Sequence, residues 1–155
     1  MLQAIINFFK QLFNPQKKET EYNTPQKQKE IKNYRPKKLL TPTEIRFFNA
    51  IKNATNENYI LLPQINLASI IERTDEHKYQ NELYRNIDFA IFDKAYNPIV
   101  LIEINDKTHK DKKRIARDIK VKEICNSANI PLITFWTDYG VNQEYINKRI
   151  AEYVA

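Results

Sequence analysis

The chain has 155 residues, 42% hydrophobic and 28% charged, with a formal net charge of +6, which is long enough for one domain with its own core. One cysteine (Cys125), two histidines (His77, His109) and one glycine (Gly140) exclude a disulfide framework, a Cys/His zinc cluster and the glycine-rich loops that cradle phosphates or dinucleotides. Residues 1–38 carry nine Lys or Arg against three Glu, whereas residues 39–155 carry sixteen of each sign, so any nucleic-acid surface on the second part must come from local clustering.

Leu2, Ile5, Ile6, Phe9, Leu12 and Phe13 recur at helical spacing and predict an amphipathic helix within residues 1–14, ended by Pro15. It is too short for a bilayer, which takes roughly 20 apolar residues, and lacks the small-residue cleavage pattern of a secretory signal. Two roles stay open for it: docking on the domain or a partner protein, and lying in a membrane interface. Residues 15–38 combine Pro15, Pro25 and Pro36 with Lys, Gln, Asn and Glu and read as a disordered basic linker with nothing to bury. The folded domain is expected over residues 39–155. A single cysteine fits a reducing, cytoplasmic setting, membrane-peripheral if the first helix lies on a lipid surface.

Thr41 as N-cap, Pro42 at the first position and Glu44 at the third mark a helix from Pro42 to about Asn53. A strand follows at Tyr59–Pro63, extending as far as Leu67, and residues 72–86 read as irregular. Two apolar strands, Ile87–Phe92 and Ile99–Asn105, form a hairpin about a turn at Lys94–Asn97. A polar loop leads to a helix from Asp111 to about Ala128, then a strand at Ile130–Trp136 and a last helix at Gln143–Tyr153. The order helix, strand, hairpin, helix, strand, helix gives an α/β class, an α+β mixed sheet with helices packed on it.

That hairpin centre sets Asp88 directly across from Glu103. Strict alternation then turns both carboxylates to one face, with Asn105 on the same face. Strands this apolar should bury both faces. Two opposed acids there lose water and repel each other, so they call for a cation, of which a divalent metal is the simplest. The alternative is an acid pair that shares a proton or is bonded to backbone amides.

The pattern of Asp88, then Ile102-Glu103-Ile104-Asn105-Asp106 and His109, then a basic helix and an apolar strand resembles the PD-(D/E)XK, restriction-endonuclease-like superfamily. It is similar to the very-short-patch-repair-like branch and to the family known as domain of unknown function 2726, over about residues 39–150. The resemblance implies a restriction-endonuclease-like core and a metal-dependent nuclease. Asp88 and Glu103 would bind Mg²⁺ or Mn²⁺, with the Ile104 carbonyl as a further ligand. Ile87 stands where a proline is often found. Asn105 stands in the usual lysine position, where it can hydrogen-bond but supplies no charge to the phosphate. Glu44 matches a helix glutamate used as a further metal or water contact; it also completes a capping box, although it sits near the middle of its helix's apolar arc.

His109 is a candidate for orienting water or the scissile phosphate, or else a loop histidine near a helix start. His77, in a charged loop, reads as solvent-exposed. Asp118 falls on the expected inward face with Ile115, Ile119 and Cys125, and an i,i+4 ion pair with Lys122 is favoured over a supporting role at the site. Residues 107–122 hold eight Lys or Arg. Of these, Lys107, Lys110, Lys112, Lys113 and Arg117 are the expected nucleic-acid contacts, DNA ahead of RNA, with Arg117 turned outward. The competing account of this run is a solvated helix face. An inactive nuclease-like module that binds nucleic acid or a partner is the alternative function, for which Asn105 speaks.

Overall fold

A computed structural model describes residues 33–75, 81–106 and 112–154, the side chains of Lys112 and Lys113 excepted. The first helix, most of the linker, His77, Lys107, His109 and Lys110 lie outside the described residues. The chain separates into two units, residues 1–36 and 37–155. Of the first, residues 33–36 are irregular and exposed; everything below concerns the second. No helix among the described residues is long and apolar enough to cross a membrane.

Helix α1 runs Pro42–Ala54. Its start is the predicted capping box: the Glu44 N–H donates to Thr41 Oγ1 at 3.2 Å, and the Thr41 N–H donates to Glu44 Oε2 at 2.6 Å. Strand β1, Ile60–Asn66, follows, then short 3₁₀ turns at Leu67–Ser69 and Asn81–Leu83. Strands β2, Asn86–Phe92, and β3, Pro98–Asn105, form the hairpin; α2 is Lys112–Ser127, β4 Leu132–Trp136 and α3 Gln143–Ala151. The predicted element order is the observed one, and the class is mixed α and β.

The four strands form one sheet in the order β1-β2-β3-β4. Antiparallel pairing joins β1 to β2 and β2 to β3; β3 and β4, linked through α2, run parallel. Both sheet faces are buried, as the apolar strands require. On one face Phe89, Ile91, Val100, Ile102, Ile133 and Phe135 pack with Phe47, Ala50 and Ile51 of α1 and Ile146 and Ile150 of α3. On the other, Ile87, Ala90, Phe92 and Leu101 pack with Val121 and Cys125 of α2. The α2 stripe is therefore Val121 and Cys125. Ile115 and Ile119, expected to face inward, are 48% and 55% exposed.

The hairpin turn is organised by Asp93, one residue before the predicted turn. Its Oδ1 accepts the N–H groups of Ala95 and Asn97, each at 2.8 Å, and its Oδ2 accepts the Asn97 side-chain amide at 2.9 Å. These bonds hold Tyr96 at φ 64°, and the Asx geometry is what a short acidic side chain does at the start of a turn. At the end of α2, Asn129 at φ 56° reverses the chain, in a conformation asparagine accepts more readily than most residues.

Candidate functional site

The β2–β3 register runs Phe89↔Ile102, Ala90↔Leu101, Ile91↔Val100. Continued by one step it sets Asp88 opposite Glu103, as the turn position required. Here main-chain pairing gives way to a side chain: Asp88 Oδ2 accepts the N–H of Ile104 at 2.8 Å. The neighbouring strand is irregular at the same level. Pro63↔Phe89 and Ile65↔Ile87 pair, whereas Gln64, opposite Asp88, holds a left-handed φ of 54°.

This irregularity corrects the expectation of two carboxylates side by side on one face. Ile87 buries in the same α2-side cluster as Ala90 and Phe92, so strict alternation fails between them. The neighbours of Asp88 come from α1 and β1: Glu44 and Gln64 lie beside it, while the Ile104 N–H donates to it. Those of Glu103 come from its own strand and α2: Asn105 hydrogen-bonds its carboxylate, and Arg117 and Asp118 lie within Coulombic reach. The two acids interact across the open end of the hairpin.

Glu44 performs both roles read for it. Its Oε2 closes the capping box, while its Oε1 accepts Gln64 Nε2 at 3.4 Å and the carboxylate lies beside Asp88. Glu44, Asp88 and Glu103 thus form a chain of acids with Asp88 in the middle. Burial raises the pKa of Asp88, and the neighbouring Glu44 raises it further, against the stabilising Ile104 N–H. Burial likewise raises Glu103, and Asp88 and Asp118 add to it, opposed by Asn105 and Arg117. Cys125 has no exposed surface, and burial with Glu103 nearby pushes its thiol up to about 11, so it is an inert core residue.

Arg117 is turned toward the acids. It lines a cleft of about 360 Å³ with Glu103, Tyr84 and Arg85, and its Nη2 pairs with Asp118 Oδ1 at 3.2 Å. Asp118 therefore pairs with its neighbour rather than with Lys122, which is exposed. Lys120, three residues on from Arg117, pairs with Glu123 at 3.8 Å on the surface. Sequence reasoning missed Gln64 altogether. No local signal marks it, because its role comes from a left-handed backbone opposite a residue 24 positions on.

Among the described residues, no three His, Cys, Asp or Glu side chains converge tightly enough to hold a metal ion by themselves. The donors present are two partly desolvated carboxylates that repel each other. That set suits Mg²⁺, which keeps several waters and takes one or two carboxylates together with substrate phosphates, and it does not suit a closed zinc or calcium cage.

The chain belongs to the family described as protein of unknown function (DUF2726), whose profile matches residues 36–153. An uncharacterized protein of Haemophilus influenzae is 22% identical over 128 residues, covering 80% of this chain and 67% of that relative. No solved structure matches.

Proposed function

We propose that this protein is a metal-dependent nuclease of the restriction-endonuclease-like type, hydrolysing phosphodiester bonds in nucleic acid. The observation that carries the reading is the Glu44–Asp88–Glu103 chain of acids, two of them with pKa values held above the ordinary carboxylate range by burial and neighbouring carboxylates. Asp88 and Glu103 would hold Mg²⁺ or Mn²⁺, with the Ile104 carbonyl as the further oxygen that the resemblance implies. Such an ion, when bound, lowers the pKa of water and polarises a phosphoryl oxygen.

The protein's own groups have separate tasks. The Ile104 N–H fixes one Asp88 oxygen and leaves the other for the site. Gln64 and the capping box fix Glu44, which accepts a proton from, or orients, an attacking water. Asn105 holds the Glu103 carboxylate. It supplies no charge; Arg117, which shares a cleft with Glu103 and Arg85, would offset negative charge on a phosphate at this end of the sheet.

The test is cleavage of a panel of single- and double-stranded DNA and RNA in Mg²⁺ and in Mn²⁺, with Asp88→Asn run beside the wild type. Cleavage that Asp88→Asn abolishes supports the reading. Absence of cleavage on every substrate overturns it and leaves a nuclease-like binding module.

A further inference from the structure

A second cavity, on the α1 and α3 side of the sheet, is not used by the reaction above. Its volume is about 510 Å³, within the usual range for a small-molecule site. Its wall is aromatic: Phe47, Phe135, Trp136, Tyr139 and Tyr145 line it. Phe135 lies stacked on Phe47 at 6.2 Å and meets the edge of Tyr145 at 6.0 Å, giving the floor a fixed geometry. The rim rings face solvent, Trp136 at 38%, Tyr145 at 51% and Tyr139 at 70% exposure. Gly140 turns the chain at φ +63°, and nothing lies within 4 Å of where a Cβ would stand, so the mouth is open there.

Two features tie this cavity to the acids. Phe47 follows Glu44 by three residues on α1, less than one helical turn. Trp136 pairs in register with Asn105 across the parallel β3–β4 seam, about 4.8 Å away in the hydrogen-bonding direction. A ligand held by the acids and one held by the rings would therefore be neighbours.

The chemistry of the wall selects among ligands. No lining residue carries a charge, so the cavity offers a phosphate no counter-charge. Aromatic walls with a few polar atoms, carried by Trp136, Tyr139, Tyr145 and Asn142, suit a flat, uncharged heteroaromatic ring. Of these, Asn142 commits its Oδ1 to capping α3 through the Tyr145 N–H at 3.0 Å. A base stacked in a duplex cannot enter a pocket of this kind; an unpaired base can, and stacking on such rings is sequence-tolerant.

We infer that the Phe47–Phe135–Trp136–Tyr139–Tyr145 cavity is a nucleobase pocket, and that the strand acted on at the neighbouring acids is single-stranded or carries an extruded base. This rests on the nuclease reading for its substrate class. The base held there belongs to a nucleotide close to the phosphate that the acids address.

Trp136 is the one tryptophan of the chain and lines the pocket, so its fluorescence reports occupancy directly. The full-length protein, in EDTA to prevent cleavage, is titrated with a short single strand, the same strand with abasic positions, and its duplex. Binding is followed in parallel by anisotropy of a labelled strand. Saturable quenching by the intact strand is expected, with affinity about tenfold or more weaker for the abasic strand and the duplex. Tyr139→Ser and Tyr145→Leu should each weaken the intact strand severalfold while leaving the abasic strand unchanged. Tyr139 is exposed enough that its variant keeps the fold. Ribo- and deoxyribo-strands of one sequence identify which sugar is accepted. Equal binding of abasic or duplex forms, binding without a Trp136 response, or no binding overturns the pocket. Cleavage lost with Asp88→Asn while quenching is absent removes the pocket and keeps the nuclease. Base-dependent quenching with no cleavage on any substrate keeps the pocket and removes the nuclease.

Discussion

The Asp88 carboxylate accepts the N–H of Ile104, at 2.8 Å, where the β2–β3 ladder would otherwise continue through main-chain atoms. The bond ties a charged side chain to the backbone of the residue after Glu103. It couples the integrity of the sheet end to the placement of both acids. Substitutions at Asp88 should therefore separate cleanly. Asp88→Ala leaves the Ile104 N–H without its partner and should cost about 1–3 kcal/mol. Asp88→Asn keeps an accepting oxygen and removes a charge that burial and Glu44 disfavour, so without metal it should be at least as stable as the wild type by urea denaturation. Both should lower cleavage by about a hundredfold or more. A destabilised Asp88→Asn would show that the charge itself holds the strand end.

Metal should stabilise the fold, because the divalent ion relieves the repulsion between Asp88 and Glu103. At Mg²⁺ a hundred times above its dissociation constant the gain is about 2.7 kcal/mol, which for a domain of this size raises Tm by several degrees. Glu103→Gln should abolish that response. An equal Mg²⁺ shift in wild type and Glu103→Gln would place any bound ion elsewhere.

The acids also fix a sign for pH dependence in EDTA. Asp88 and Glu103 have raised pKa values in the fold. Between the ordinary carboxylate value, near 4, and those raised values, the folded chain binds more protons than the unfolded one. Their contribution to stability is thus complete below the ordinary value and is lost as pH rises through the raised ones. Asp93, lowered by its bonds to Asn97, runs the other way: its contribution is present at neutral pH and is lost as pH falls through its folded value. The Asp88→Asn, Glu103→Gln double variant isolates the first effect. Its stability relative to wild type should increase as pH is raised from about 4 to 8, and a flat difference would remove the pair from the balance.

Arg117→Ala should act on binding more than on folding, since the side chain is about half exposed and its ion pair is with the adjacent, partly exposed Asp118. Affinity for nucleic acid should fall, and the slope of log affinity against log salt should shrink by about one. An unchanged salt slope would mean that Arg117 meets no phosphate.

Gln64 sits at φ 54°, where β-branched side chains are strained. Gln64→Val should cost about 1–3 kcal/mol. Gln64→Gly relieves the backbone but loses the bond to Glu44, so it should fold close to wild type and cleave more slowly. Equilibrium denaturation and initial rates on the same preparations check both halves.

How much of this was legible in the chain follows from the range of the forces involved. Local signals carried through: Thr41, Pro42 and Glu44 announced the start of α1, and the apolar runs and polar turn announced a hairpin whose register set Asp88 opposite Glu103. Helix faces were less readable. The basic α2 has a weak apolar stripe, so Ile115 and Ile119 were assigned inward on spacing alone, and it is the sheet that selects Val121 and Cys125.

The sequence alone determined which residue types are available: oxygen-bearing acids, an asparagine two residues after Glu103, and no clustered cysteines, histidines or glycines. Periodicity and turn chemistry act over a few residues, so they also determined the order of elements. Only the tertiary structure decided that Glu44 reaches Asp88, that Gln64 takes a left-handed backbone opposite it, that Arg117 turns toward Glu103, and that five rings from α1, β4, the following turn and α3 enclose one cavity. Those relationships join residues tens of positions apart. They exist only after the sheet has buried both faces, because packing rather than local preference sets where each strand and helix ends.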